Sequence, residues 1–171
     1  MADIGKLLGS AQILPDELVR IISGTTYAYT PVAGDAWYYK LTNVQVTIQD
    51  LIGGTFLQGV TTGAGTDAGS SPAAITTSDL VKFLFIKNTG FQGNGTSASL
   101  SSVYLSLDGS STNNLGANVA DCIEIGPNES LALKLNCTVG NLHAEAGNAL
   151  FAADSSPTIT QCIVAAVLDD V

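Results

Sequence analysis

The sequence predicts an all-β protein, a jelly-roll-like antiparallel β-sandwich of about eight strands with an N-terminal arm. Two observations predict this fold class. Short apolar runs recur along the chain, most clearly at residues 80–87, 103–107 and 131–135, and the turn signals Asn-Thr-Gly, Asp-Gly and Gly-Pro-Asn lie between them. Short strands separated by turn residues are typical of sandwiches and barrels.

The first residues differ from the rest and predict two parts, an arm over residues 1–16 and a β-sandwich domain over residues 17–171. The start of the arm fits one face of a short helical turn, and Pro15 prevents a longer helix. Residues 16–23 favour a strand, although Asp16 after a proline is also compatible with a helix start. Five apolar side chains of the arm would be costly to expose, so they are predicted to dock on the domain itself or on a neighbouring subunit: Ile4, Leu7, Leu8, Ile13 and Leu14.

Residues 37–41 and 44–48 predict the next strand or pair of strands, because apolar and polar residues alternate in the second run. Trp37, Tyr38 and Tyr39 make this the densest aromatic patch. Rings of this kind suit core or interface packing, and they also suit a carbohydrate-binding face. Both interpretations stay open from the sequence.

The later strands carry clearer patterns. Residues 80–86 are apolar on both sides of a strand apart from Lys82, and residues 158–168 form a long, weakly polar run. Both patterns predict central strands or strands at a subunit interface. In residues 103–107 the odd positions are predicted to face inward, with Tyr104 and Ser106 outward. Two glycine-rich loops are predicted, over residues 53–78 and 90–99.

Composition limits the partners. The chain has 171 residues, enough for one domain, with 46% apolar and 12% charged residues. Much of its exterior must therefore be small polar residues or be covered by other chains. The net charge is −9, and the six Lys and Arg residues are scattered, so direct binding to nucleic acid or to anionic membranes is not expected.

No run reaches the ~20 apolar residues of a membrane helix, and the N-terminus lacks the features of a secretory signal. Synthesis in a cytosol is the expectation. Cys122, Cys137 and Cys162 predict small buried thiols, with one disulfide and a leftover thiol as the alternative. A metal site is not predicted, because there is no C-x-x-C pair and a single histidine.

No catalytic group stands out, so the sequence predicts no enzyme and no cofactor. His143 is expected on the surface or at an interface, where a pH switch is conceivable, and no G-x-S-x-G nucleophile motif accompanies it. Asp108, Asp121, Glu124 and Glu129 cluster in sequence as candidates for an acid/base pair, but Asp108 begins a turn and Glu129 follows another one. The oxygen-rich residues after Asp108 lack the full spacing of a calcium loop.

Three segments together resemble small β-sandwich accessory proteins of tailed-bacteriophage particles, notably capsid decoration or cement proteins and head-fibre components. The segments are residues 83–90, 103–109 and 123–135, which include the sequence Ile-Gly-Pro-Asn-Glu-Ser-Leu-Ala-Leu-Lys-Leu. Asn128 stands where a glycine is usual after the Gly-Pro turn, and asparagine also tolerates a left-handed backbone.

The resemblance implies a structural protein of a phage virion, made in the host cytoplasm and located on the outer capsid surface. Such proteins are commonly homotrimers that stabilise the capsid by bridging major capsid subunits, and the apolar arm would be the clamp. The alternative is a carbohydrate-binding module on a phage fibre or tail, with Trp37, Tyr38 and Tyr39 as its sugar-binding residues. A hydrolase using His143, Asp108 and Asp121 is a third hypothesis.

Overall fold

A computed structural model describes residues 5–13, 21–29, 35–54, 58–59, 74–109, 122–147 and 158–169. These residues form eleven β-strands and a single-turn 3-10 helix at Val139–Asn141. The strands are β1 (Gly5–Ile13), β2 (Ile21–Tyr29), β3 (Asp35–Val44), β4 (Gln49–Asp50), β5 (Gln58–Gly59), β6 (Leu80–Gln92), β7 (Ser102–Ser106), β8 (Ile123–Ile125), β9 (Ser130–Thr138), β10 (His143–Gly147) and β11 (Thr160–Asp169).

The sandwich has a jelly-roll topology, which confirms the predicted fold class. One sheet has the order β5-β3-β11-β6-β9 and the other β4-β10-β7-β8, and every pairing is antiparallel. Without the two-residue β5, eight sandwich strands remain, and they pair from the ends of the chain inward. β3 pairs with β11, β4 with β10, β6 with β9, and β7 with β8. This nested pairing is that of a long antiparallel ribbon rolled into two sheets.

The core lies between the sheets and follows the two-residue period of their strands. Val103, Leu105 and Ile125 face it from the four-stranded sheet, as predicted. From the five-stranded sheet, alternate residues of β9 pack against the core at Leu131, Leu133 and Leu135, again as predicted. Further core residues are Val44, Leu51, Val81, Leu84, Ile86, Leu142, Ala144, Ala146, Cys162, Val164, Ala166 and Leu168.

β6 and β11 are the centre of the five-stranded sheet, as their apolar sequences predict. β11 lies between β3 and β6, and β6 lies between β11 and β9. The pairing of β6 with β11 skips Lys82, so Val81 faces the core while Phe83 lies on the opposite face. Lys82 Nζ instead forms an ion pair with Asp169 Oδ2 at 2.9 Å.

The prediction of a second strand over residues 44–48 is wrong. β3 ends at Val44, and the next strand, β4, contains only Gln49 and Asp50. The side-chain oxygen of Gln49 accepts a hydrogen bond from the Gln45 backbone N–H at 3.0 Å. This local bond replaces a ladder bond, which is how polar side chains compete with strand formation.

The predicted turn at residues 88–90 is also wrong, because β6 continues to Gln92. The buried Asn88 side chain donates hydrogen bonds to the carbonyls of Ser101 and Ile125 and accepts one from Gly90 N–H. Gly90 has a φ of +74°, and a Cβ there would lie 2.7 Å from Asn128 Nδ2. The Asn-Thr-Gly motif therefore lies within β6, where Asn88 connects the strand to Ser101 and Ile125, and it does not end the strand.

Asn128 has the left-handed backbone that its place after Gly-Pro predicts, with a φ of 68°. The turn is closed by a bond from Glu129 N–H to the Gly126 carbonyl at 3.0 Å. The Glu129 side chain accepts a second bond from Gly126 N–H at 2.8 Å. Residue 128 therefore supplies the same backbone conformation that glycine would supply.

The N-terminal residues form a hairpin, so the predicted helical turn around Leu7 and Leu8 is wrong. β1 pairs with β2 over their whole lengths, from Gly5 opposite Tyr29 to Ile13 opposite Ile21. The two strands make a sheet of their own, without ladder pairing to either sandwich sheet among the described residues. Ile4, Leu14 and the expected boundary between residues 16 and 17 lie outside the described residues.

Candidate functional site

The outer face of the five-stranded sheet carries a continuous apolar surface. Tyr39 of β3 lies opposite Ala165 of β11, which lies opposite Phe85 of β6. In the next row Leu41 lies opposite Ile163. We call these five residues the apolar face.

Two members of the apolar face are strongly exposed. Tyr39 is 53% exposed and Leu41 is 54% exposed, while Phe85, Ile163 and Ala165 are half-buried. Aromatic and branched apolar residues side by side on a solvent-facing sheet mark a surface that gains free energy when another surface covers it. The apolar face is therefore the strongest candidate for a contact surface in the described part of the chain.

Cations lie around the apolar face although the protein is acidic. Two lysines of the five-stranded sheet, Lys87 and Lys134, lie on the same side as the apolar face. Lys40 pairs with the core residue Val164 and so lies on the opposite side of β3, and Lys82 is ion-paired with Asp169. Lys87 pairs with Ile163, and Lys134 pairs with Phe83. An apolar centre with a charged rim is the usual anatomy of a protein–protein interface.

The outer face of the four-stranded sheet is polar, and much of it is buried. Cross-strand pairing places Asp50, His143 and Ser106 in one row, and Glu145, Tyr104 and Glu124 in the next. His143 Nε2 lies 3.2 Å from Asp50 Oδ1. His143 was expected on the surface or at an interface, and within the chain it is 8% exposed.

Tyr104 and Glu124 form the best-defined polar contact of this face. The Tyr104 hydroxyl donates to Glu124 Oε1 at 3.4 Å, and Ser102 Oγ donates to the same oxygen at 2.6 Å. Tyr104 lies on the predicted outward side of β7 but is 0% exposed. Burial, reinforced by the negative charge of Glu124, raises the pKa of Tyr104 to about 12. The phenol is therefore a neutral hydrogen-bond donor at neutral pH.

The structure divides the predicted aromatic patch between two faces. Trp37 and Tyr39 lie on the outer side of β3, whereas Tyr38 is 3% exposed and belongs to the core. For Tyr38, core packing therefore applies and sugar binding does not, because a strand sends adjacent side chains to opposite faces. Trp37 and Tyr39 remain on one surface, beside the central strand β11.

The other predicted residues are distributed as follows. Leu7, Leu8 and Ile13 lie in β1. Asp108 Oδ1 accepts a hydrogen bond from Ser106 Oγ at 2.6 Å, and Asp121 lies outside the described residues. In the part of the chain that the structure describes, no three His, Cys, Asp or Glu side chains are grouped as metal ligands, and no helix has the length and apolar character needed to cross a bilayer.

Sequence reasoning did not name Leu41, Phe85, Ile163 and Ala165 as site residues. The sequence did indicate their strands, because the apolar character of β6 and β11 predicted that each is central or lies at a subunit interface. Only the cross-strand register shows that these residues and Tyr39 form one patch. No family model matches the chain, and neither a curated protein nor a solved structure matches it.

Proposed function

We propose that this chain is a non-enzymatic structural protein of a phage virion that decorates the outer capsid surface as a homotrimer and bridges major capsid subunits. The resemblance of residues 83–90, 103–109 and 123–135 to phage decoration and head-fibre proteins supports this function. The observation that carries the proposal is the apolar face, which offers a surface for assembly on an otherwise low-charge sandwich.

The mechanism is additional buried area at the junctions between capsid subunits. Every 100 Å² of apolar surface removed from water contributes roughly 2.5 kcal/mol. A subunit that contacts two capsid neighbours adds this free energy only while both contacts are intact. Decoration therefore raises the free energy needed to separate those neighbours and makes the shell more resistant to internal pressure.

The lysines of the five-stranded sheet define the partner surface more closely. Lys87 and Lys134 lie on the outer side of β6 and β9, next to the apolar face. A complementary capsid surface would be apolar at its centre and rimmed by Asp or Glu. Such complementarity fixes the orientation of docking and increases the rate of association. Binding should accordingly weaken as salt is added.

A pair of leucine variants tests the proposal. Leu41→Glu places a carboxylate in the apolar face, while Leu100→Glu places one at a leucine that is 72% exposed in the connection from β6 to β7. Both full-length proteins are purified, their masses are measured by sedimentation, and they are cosedimented with undecorated phage heads. We expect Leu41→Glu to lose at least tenfold in affinity for heads and Leu100→Glu to bind like the unchanged protein.

Two results would overturn the proposal. One is that the unchanged protein binds no heads at any salt concentration. The other is that Leu41→Glu occupies heads as fully as Leu100→Glu does. Circular dichroism of both variants shows that neither result arises from unfolding.

A further inference from the structure

A second surface of the protein has a different character and lies at one end of the sandwich. A groove of about 340 Å³ runs between the end of β3, the connection that follows β6, and the residues that enter β11. Its lining consists of Asn43, Gln45, Gln92, Gly93, Asn94, Thr158 and Ile159. None of these seven residues has an ionisable side chain, and four of them carry side-chain amides.

Three of the four groove amides, those of Asn43, Gln45 and Gln92, are bonded through their nitrogen alone, whereas Asn94 Oδ1 already accepts from the backbone N–H groups of Thr96 and Ser97. Asn43 Nδ2 donates to the Gly93 carbonyl at 3.1 Å. Gln45 Nε2 donates to the Asn43 carbonyl at 3.2 Å, and Gln92 Nε2 donates to the Ala98 carbonyl at 3.2 Å. Each bond fixes an amide nitrogen and leaves the amide oxygen of the same side chain without a donor in the described part of the chain.

Backbone bonds hold the walls of the groove in place. Gly93 N–H donates to the Ile159 carbonyl at 2.9 Å, which ties the loop after β6 to the start of β11. Gln92 N–H donates to the Ser97 carbonyl at 2.8 Å, which closes the loop on itself. The loop is glycine-rich, and this bonding organises it before any ligand arrives. Prior organisation lowers the entropy cost of binding.

Gly93 makes room for the groove. A Cβ at this position would lie 2.8 Å from Ile159 Cγ2 and 3.2 Å from Asn43 Cγ. Ile159 is itself 39% exposed. The groove therefore combines a small apolar surface with hydrogen-bond acceptors, and a side chain at residue 93 would crowd two of its lining residues, Ile159 and Asn43.

From these features we infer that the groove is a binding site for a neutral carbohydrate. Sugar hydroxyls supply the donors that the oxygens of Asn43, Gln45 and Gln92 lack, and the C–H face of a pyranose ring can pack on Ile159. An anionic ligand meets acceptors instead of cations, on a protein whose net charge is −9. A hard divalent cation would need carboxylates, and none lines the groove.

This site is separate from the apolar face and from the aromatic residues that the sequence analysis considered for sugar binding. Trp37 and Tyr39 do not line it. Binding in the groove and attachment to capsids are therefore independent properties, and either can fail without the other.

The test is nuclear magnetic resonance of the full chain with four neutral disaccharides, namely maltose, cellobiose, lactose and N,N′-diacetylchitobiose. Each is added to about 20 mM, which would nearly saturate a site with a Kd of about 1 mM. We expect at least one to shift the backbone amide signals of Gly93, Asn94 and Ile159. Glucuronate, an anionic sugar, should shift them at least tenfold less at equal concentration.

Three variants locate the binding. Gln45→Leu and Gln92→Leu each remove one acceptor and should weaken the sugar at least tenfold. Asn136→Leu changes an exposed amide of β9, outside the groove, and should leave binding unchanged. The inference is overturned if no disaccharide shifts the groove signals, if the shifts cluster elsewhere, or if the two groove variants bind as well as Asn136→Leu.

Discussion

Tyr104 and Glu124 lie directly opposite each other in the β7–β8 ladder, and the Tyr104 hydroxyl donates to the Glu124 carboxylate. The contact places a phenol with no solvent exposure beside a negative charge. Both conditions oppose ionisation of the phenol, because its anion would lose hydration and be repelled. The pKa of Tyr104 therefore differs between the folded and the unfolded protein.

Spectrophotometric titration at alkaline pH should separate Tyr104 from the other tyrosines. Its pKa is raised from an ordinary value of 10.0 to about 12. Tyr104→Phe should remove the last tyrosinate transition, and Glu124→Gln should shift that transition to lower pH by removing the repelling charge. A tyrosinate transition near pH 12 that persists in Tyr104→Phe would contradict this assignment.

The same shift predicts how stability depends on pH. Because the folded pKa is higher than the unfolded one, the contribution of Tyr104 is complete below pH 10 and is lost as pH rises toward 12. A shift of this size corresponds to roughly 3 kcal/mol. Urea unfolding at a series of alkaline pH values should show the loss in the unchanged protein and a smaller loss in Tyr104→Phe.

Cys162 should be inert in the native protein. It is fully buried in the core, and burial raises its pKa from 9.0 to about 12. Thiolate is the reactive form of cysteine. Iodoacetamide at pH 8 should therefore modify Cys162 far more slowly than Cys122 and Cys137, which are half-buried. Burial also raises the pKa of Cys137, so Cys122 should react first. Mass spectrometry of tryptic peptides measures the order, and equal labelling of all three native thiols would contradict the structure.

Two glycines with different surroundings provide a matched stability test. Gly90→Ala introduces a methyl group 2.7 Å from Asn128 Nδ2, at a residue whose φ is +74°. We expect a loss of about 2 kcal/mol or more in the free energy of unfolding. At Gly53 a Cβ would meet nothing within 4 Å, so Gly53→Ala should change that free energy by less than about 1 kcal/mol. Urea denaturation compares them, and equal effects would show that the backbone at Gly90 imposes no constraint.

Removing the first fourteen residues tests the proposed clamp. The deletion takes away the whole of β1, which pairs with β2 and with no sandwich strand among the described residues. The sandwich should stay folded by circular dichroism, while cosedimentation with phage heads should be abolished. Full occupancy of heads by the shortened protein would show that the arm is not needed for attachment. A loss of β-structure beyond the hairpin would instead show that β1 and β2 support the sandwich.

Strand periodicity predicted much of the fold. Leu131, Leu133 and Leu135 face the core as their spacing indicates, and the apolar runs of β6 and β11 became the two central strands. The predicted strand end at residue 88 and the predicted strand over residues 44–48 were wrong, and in both places a polar side chain forms a hydrogen bond with the backbone. Gln49 binds Gln45 and ends strand pairing early, and Asn88 lies inside β6 although its motif is typical of a turn.

The sequence by itself determined the fold class, the central strands and the left-handed turn at Asn128, because each depends on local patterns of apolar and turn residues. Only the tertiary structure decided which residues share a surface. Leu41 and Ile163 are 122 residues apart in the chain and become neighbours through the register of β3 and β11. The groove likewise joins Asn43, Gln92 and Ile159, which are far apart in the chain. The two-residue period of a strand predicts which face a residue takes, but it does not specify which distant strand lies beside it.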